Sequence, residues 1–292
     1  MPPLRRRRTD AHEGPVYVAR RDRLYFCTRP EVRSAAPGVA IRYWDLTTDA
    51  VHSWVPDARM ANGMALSCDA SCLLVCEQGD RRRRAAVTRY HLRDGRREVL
   101  VDDFRGLPFN SPNKVVELPD GSLVFTDPDY GPRQGFRQNS QLAPALYAYR
   151  PTGETLRLEL GLEQPHGLAI SPDGQRLYVT DTSADDGVGG FDRRGRRDLY
   201  AVTLDYEPRT GLADYGAPEH LARVPVGIPD GLAVARDGSI YAATGDGVRV
   251  YAPDGTPLRH LRIDDGAVSV CLDEARGRLF VTTDEAVEVW GL

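Results

Sequence analysis

Six short apolar strand cores recur along this chain, each ten to thirteen residues after a turn position. The cores begin at Leu24, Leu73, Leu123, Leu177, Ile240 and Leu279. The turn positions are Glu13, Asn62, Asn113, His166, Asp230 and Gly266. An Asp lies between each turn and its core, often in an Asp-Gly pair that suits a tight hairpin. Repeats of roughly 40–60 residues without a sustained helical period predict an all-β fold, a six-bladed β-propeller.

The repeats predict one propeller domain over residues 11–292. Residues 1–10 contain four consecutive arginines and no apolar segment, so they are expected to form a disordered basic tail. Residues 287–290 alternate in polarity and are expected to help close the ring. Two long polar inserts, residues 130–144 and 184–197, have the length and composition of site rims or lids.

Composition narrows the class of protein. The 292 residues are 41% hydrophobic and 27% charged, as in a globular soluble protein. The net charge of −4 argues against nucleic-acid binding, and no apolar window is long enough for a membrane span. Five cysteines and no signal-like start predict reduced thiols in the cytoplasm. The expected partner is a small molecule, and the expected state is a monomer or small homo-oligomer.

The polar turn positions are candidates for a shared site. In a propeller the innermost strands line the central axis, so these positions would face one another around one mouth. Any one of them has a local explanation, because Asn and Asp favour turns. As a set, Glu13, Asn113 and Asp230 would bring hard oxygen ligands from three blades, and such ligands suit Ca²⁺ or Mg²⁺.

Several motifs together resemble the senescence-marker-protein, gluconolactonase and luciferin-regenerating-enzyme family of regucalcin-like propellers. They are Glu13-Gly14-Pro15, Ala61-Asn62-Gly63, Asn110-Ser111-Pro112-Asn113, residues 126–131, 167–174 and 178–182, and Pro229-Asp230-Gly231. Residues 76–82 are similar to the bacterial gluconolactonase branch.

The resemblance implies one divalent metal ion, usually Ca²⁺, at the mouth of the channel. Glu13 would be a carboxylate ligand, Asn113 an amide ligand or substrate contact, and Asp230 both a ligand and the base that activates water. Such an ion polarises a lactone carbonyl while a carboxylate orients the nucleophile. The implied substrate contacts are Asn62, Asn110, Glu77 and Arg82. Arg82 is equally well explained as a solvated charge.

Two residues depart from the pattern of the family. His166 stands where an Asn ligand is usual, and imidazole suits Zn²⁺ or Mn²⁺ better than Ca²⁺. His166 could therefore be a metal ligand, a catalytic or substrate-contacting group, or a structural residue. Lys114 stands where Asp is usual and is the only lysine among 38 basic residues. It could repel a cation, bind an anion or act in catalysis, or strand alternation could turn it away from the channel.

Three functions remain open from the sequence. The favoured one is a metal-dependent hydrolase of a sugar lactone or related cyclic ester, with Asp230, His166 and Lys114 as catalytic candidates. Ca²⁺ is the expected ion, Zn²⁺ or Mn²⁺ are alternatives, and a site without metal is the third. The second function is a biosynthetic enzyme that uses His166 and Lys114 for cyclisation, isomerisation or condensation. The third is a non-enzymatic ligand-binding propeller, against which the polar ring argues.

Overall fold

The structure, a computed structural model, describes residues 2–30, 38–207 and 211–292. Within these ranges, six sheets of four or five strands form the blades of an all-β propeller, as predicted. Strand β1 (Arg5–Arg8) precedes the first blade. In the described ranges no helix is long and apolar enough to cross a membrane.

The first three blades follow one another along the chain. Blade 1 consists of β2 (Ala11–Val18), β3 (Arg23–Thr28), β4 (Ile41–Asp45) and β5 (Ala50–Val55). Blade 2 consists of β6 (Ala61–Leu66), β7 (Cys72–Glu77), β8 (Ala86–His91) and β9 (Arg97–Val101). A two-stranded ribbon follows, made of β10 (Asp103–Phe104) and β11 (Leu107–Pro108). Blade 3 consists of β12 (Val115–Glu117), β13 (Leu123–Asp127), β14 (Ala145–Tyr149) and β15 (Thr155–Leu158).

The remaining blades complete the ring. Blade 4 consists of β16 (Pro165–Ile170), β17 (Arg176–Asp181), β18 (Asp198–Glu207), β19 (Gly211–Tyr215) and β20 (Glu219–Arg223). Blade 5 consists of β21 (Leu232–Val234), β22 (Ile240–Thr244), β23 (Gly247–Tyr251) and β24 (Pro257–Arg262). Blade 6 consists of β25 (Ser269–Asp273), β26 (Arg278–Thr282), β27 (Ala286–Gly291) and β1. Helical turns are short: Ala19–Arg21, Tyr130–Arg133 (α1) and Glu274–Arg276.

The six predicted strand cores all lie in the second strand of a blade, namely β3, β7, β13, β17, β22 and β26. These strands are buried almost throughout. Apolar side chains from adjacent blades pack together between the sheets. Between blades 3 and 4, for example, Val124 and Leu146 share a cluster with Leu168 and Val179. Such burial of apolar area is the main favourable term in folding.

The N-terminal segment closes the ring, so the predicted disordered tail is wrong for Arg5–Arg8. Strand β1 pairs antiparallel with β27, with Arg5 opposite Val289. Without β1, β27 would present an unpaired edge of backbone groups. The arginine side chains are held as well, since the guanidinium of Arg5 lies 4.6 Å from the Trp44 ring centre and 2.6 Å from Asp49.

Glycines on the inner strands set the spacing of the blades around the axis. A Cβ on Gly63 would lie 2.3 Å from the carbonyl oxygen of Asn113. A Cβ on Gly167 would lie 2.1 Å from the carbonyl oxygen of Asp230. Both distances are far below van der Waals contact, so only glycine lets neighbouring inner strands approach this closely.

Candidate active site

The first strands of four blades, with the turn before them, carry the polar ring of the channel. Glu13 lies within β2 and His166 within β16. Asn113 precedes β12 by two residues, and Asp230 precedes β21 by two residues. Ligand atoms of Glu13, His166 and Asp230 all lie within 4.8 Å of one another. Residues from three separate blades therefore meet at one point.

Four side-chain atoms of this region are buried and have no hydrogen-bond partner in the described part of the chain. They are Oδ1 of Asn62, Asn113 and Asp230, and Nδ1 of His166. Buried polar atoms are nearly always paired, so a cluster of exceptions needs an explanation. Each of these atoms can donate a lone pair. A bound cation would satisfy several of them at once.

His166 and Asp230 lie side by side in the ring. Nδ1 of His166 and Oδ1 of Asp230 are 3.1 Å apart, but they are not aligned for a hydrogen bond. Burial raises the pKa of Asp230, but the adjacent imidazole of His166 and the positive charge of Lys114 outweigh this effect, so the pKa lies below its usual value. Asp230 is therefore a carboxylate at neutral pH. Two electron-pair donors at this separation can share one metal ion.

Lys114 points into the site, so the alternative in which strand alternation turns it away from the channel is wrong. Its ammonium group donates a hydrogen bond to Oε2 of Glu13, 101 positions earlier in the chain. Both side chains are buried, with exposed fractions of 8% for Lys114 and 3% for Glu13. The backbone N–H of Lys114 donates a hydrogen bond to Oγ1 of Thr126 at 3.0 Å. This bond holds the residue that directly precedes β12.

The turns that present Asn113 and His166 are built in the same way. In blade 3, the buried Asp127 accepts hydrogen bonds from the backbone N–H groups of Asn110 at 2.9 Å and Ser111 at 2.8 Å. Burial raises the pKa of Asp127 to about 7, although these two N–H groups act in the opposite direction. In blade 4, Asp181 accepts the N–H groups of residues 163 and 164 at 2.7 and 3.1 Å. An Asp at the end of the second strand thus anchors each turn.

The structure keeps three of the four predicted substrate contacts as candidates. Asn110 donates from Nδ2 to the carbonyl of Leu142 at 3.1 Å, and its Oδ1 is buried and unpaired within the described residues. Asn110 and the exposed Arg82 line a cavity of about 200 Å³ together with Arg137. Asn62 lies in β6 and contributes one of the unpaired oxygens. These three residues remain candidates for substrate contacts.

The assignment of Glu77 to the substrate is wrong. Glu77 is completely buried, and its carboxylate is bound inside blade 2. It accepts hydrogen bonds from Arg97 at 2.8 and 2.5 Å and from the Tyr90 hydroxyl at 2.7 Å. The carboxylate compensates a partly buried guanidinium, so it is not available at a rim.

Sequence reasoning missed three residues beside the ring. The ring of Tyr130 packs edge-on against His166 with centres 5.5 Å apart, and its hydroxyl bonds to Thr182 at 2.6 Å. His12, next to Glu13, bonds to Asp284. Burial lowers the pKa of His12, but the bond to Asp284 and nearby carboxylates raise it above its usual value overall. Tyr130 lies within the motif of residues 126–131, whereas Asp284 gave no signal because it lies at the far end of the chain.

The donor set fits a divalent cation. It offers two carboxylates, one imidazole and one amide oxygen, and the unpaired atoms of Asn113, His166 and Asp230 fit the demand for a cation. The ammonium of Lys114, which is hydrogen-bonded to Glu13, opposes a second cation in this donor set. The fold and the polar ring together define a six-bladed propeller with a candidate cation-binding site at the first strands of its blades.

Comparison with known proteins places the chain more closely. Residues 11–285 match the family model described as the SMP-30/Gluconolactonase/LRE-like region. The chain therefore belongs to this family, and the resemblance seen in its motifs is confirmed.

Two curated relatives illustrate the range of the family. The chain is 27% identical to a gluconolactonase of Zymomonas mobilis over 289 residues, which cover 94% of this chain and 76% of the relative. It is 29% identical to a lactonohydrolase of Aspergillus oryzae over 190 residues, which cover 60% of this chain and 42% of that protein.

Solved structures agree with the fold. A gluconolactonase from Xanthomonas campestris superposes with a TM-score of 0.78 at 30% identity, over 98% of this chain and 87% of that one. The calcium-binding protein regucalcin from Agrobacterium tumefaciens superposes with a TM-score of 0.71 at 19% identity, over 100% and 96%. At that identity the second likeness speaks for the fold alone.

Proposed function

We propose that this protein is an enzyme that hydrolyses a lactone, and that it uses one divalent metal ion held by Glu13, Asn113, His166 and Asp230. The observation that carries the proposal is the meeting of three ligand side chains within 4.8 Å, with unpaired buried atoms on His166 and Asp230. Family membership supports the reaction class, because relatives carry the names gluconolactonase, lactonohydrolase and pentonolactonase.

The residues of the ring divide the work of hydrolysis. Water adds its oxygen to the carbonyl carbon, the ring C–O bond breaks, and a proton moves to the departing ring oxygen to give a hydroxy acid. Asp230 is ionised, so it can accept the hydrogen bond that orients the attacking water and take up its proton. A bound divalent ion would supply polarisation of the carbonyl and charge stabilisation of the oxyanion. Asn62 and Asn110 offer unpaired oxygens that can accept hydrogen bonds from sugar hydroxyls.

Lys114 distinguishes the two enzyme functions, and His166 bears on the identity of the metal ion. The Lys114 nitrogen is bound to Glu13, so it is not a free nucleophile, and this favours the hydrolase over the biosynthetic enzyme. The family resemblance favours Ca²⁺, whereas the imidazole of His166 favours Mn²⁺ or Zn²⁺.

A lactone panel with metal removal tests the proposal. Hydrolysis of aldono-1,5- and 1,4-lactones is followed with a pH indicator before chelation, after chelation, and after addition of Ca²⁺, Mn²⁺ or Zn²⁺. We expect chelation to abolish the activity above the spontaneous rate and one of the ions to restore it. Full activity after chelation would contradict the metal requirement. No hydrolysis of any lactone by the metal-loaded protein would contradict the reaction.

A further inference from the structure

The ammonium group of Lys114 already holds the carboxylate that the metal ion would need. We propose that Lys114 is a tethered cation that competes with the divalent ion for Glu13 and thereby weakens metal binding in this protein. This inference rests on the metal site proposed above, and it concerns how that site is regulated by its own chain.

The Lys114 side chain occupies a position where the equivalent residue of four other repeats is glycine. Four of the five polar turn positions of the repeat (Glu13, Asn62, Asn113, His166 and Asp230) are followed by glycine, namely Gly14, Gly63, Gly167 and Gly231. Asn113 is followed by Lys114 instead. A Cβ on Gly63 would lie 2.6 Å from Cδ of Lys114. The lysine stem therefore lies directly over Gly63 of blade 2 and reaches Glu13 in blade 1.

The end of the path is a buried ion pair. Glu13 receives the ammonium of Lys114 on Oε2, and the N–H of Gly14 lies 3.3 Å from the same oxygen. A buried carboxylate without a partner is costly, so Lys114 supplies the partner that Glu13 needs in the metal-free protein. The ring is thus held on this side without any metal.

The charge balance of the ring changes accordingly. Glu13 and Asp230 bring two negative charges, and Lys114 cancels one of them. A divalent ion that binds beside Glu13 must displace the ammonium or lie close to it, and charges at such distances interact strongly where water is scarce. Because the ligand atoms of Glu13, His166 and Asp230 all lie within 4.8 Å of one another, this repulsion acts on an ion anywhere in the site. Nδ1 of His166 and Oδ1 of Asp230 have no hydrogen-bond partner among the described residues, so they stay available as ligands.

Calorimetric titration of chelated protein with Mn²⁺ and with Ca²⁺ tests the competition. Lys114→Met keeps an apolar stem over Gly63 and removes the charge, and Lys114→Gln serves if the first variant does not fold. We expect the variant to bind the ion at least about tenfold more tightly than the wild type, since removal of one close charge exceeds that factor. The rise in Tm on metal addition should also be larger in the variant.

The matched control is Arg93→Met, which removes one positive charge from a side chain that is 92% exposed. Its metal affinity should stay within about twofold of the wild type. Equal affinity of Lys114→Met and wild type would overturn the inference. Weaker binding by Lys114→Met would also overturn it, and would make Lys114 a positioning residue for Glu13.

These results separate the inference from the proposal on which it rests. If wild type binds the ion but the variant binds no tighter, the competition is refuted and the metal site stands. If neither protein binds any divalent ion and the chelated enzyme still hydrolyses lactones, both the competition and the metal site are refuted.

Discussion

The two sides of the central ring satisfy their buried charges by different means. On one side Glu13 is paired with Lys114 from a blade two places away. On the other, His166 and Asp230 face each other at 3.1 Å without an aligned hydrogen bond. On the first side the buried carboxylate has its partner within the protein. On the second side His166 Nδ1 and Asp230 Oδ1 would gain a partner only from a bound ligand or ion. The demand for a cation is therefore concentrated at His166, Asp230 and Asn113.

The largest expected effect comes from the side of the ring that contains His166 and Asp230. Asp230→Asn keeps the size of the side chain but removes its charge, and we expect kcat/KM for lactone hydrolysis to fall at least about 10³-fold. Asp237→Asn, in an exposed turn of the same blade, is the control and should stay within about twofold. A loss smaller than about tenfold for Asp230→Asn would place the chemistry elsewhere.

The paired side should respond in stability. Glu13→Gln leaves the ammonium of Lys114 buried without a carboxylate, so we expect chelated protein to lose about 3 kcal/mol of unfolding free energy. Urea denaturation measures this loss. Glu219→Gln breaks an ion pair of Arg176 at the surface and should cost under about 1 kcal/mol. Equal losses in the two variants would mean that the Glu13 pair is no more than a surface contact.

The spacing between the two sides depends on the inner glycines. Gly167→Ala would place a Cβ 2.1 Å from the backbone oxygen of Asp230, so we expect a loss of about 2 kcal/mol and a lower Tm. At Gly291 a Cβ would meet no described atom within 4 Å, and Gly291→Ala should change stability by less than about 0.5 kcal/mol. A Gly167→Ala protein as stable as wild type would show that the blades can move apart freely.

The smallest expected effect concerns the identity of the ion. His166→Asn replaces an imidazole by an amide, so we expect the affinity for Ca²⁺ relative to Mn²⁺ to rise about tenfold. Parallel titrations with the two ions give the ratio. An unchanged ratio would mean that His166 is not a ligand.

Sequence predicted the repeating parts of the molecule and missed its long-range contacts. The strand cores and hairpin turns are local signals, and so the propeller could be read from Leu24 to Leu279. Pairing of Arg5–Arg8 with the last strand depends on an edge left open some 280 residues later. Glu77 looked available because its partner Arg97 lies two strands away in the same sheet.

The site shows the same division. That Glu13, His166 and Asp230 would meet followed from their place in the repeat. The direction of Lys114 did not, because it depends on the space over Gly63 and on a carboxylate in another blade. Contacts that cross the ring are set by packing between blades, which no local pattern reports.

The most direct test of the metal site is anomalous diffraction from crystals of the wild-type protein soaked in Mn²⁺. We predict one strong peak in contact with Glu13, Asn113, His166 and Asp230, and no such peak in Asp230→Asn crystals soaked in the same way. An anomalous difference map without a peak at this site, from soaked crystals of protein that hydrolyses a lactone, would contradict the proposed metal site.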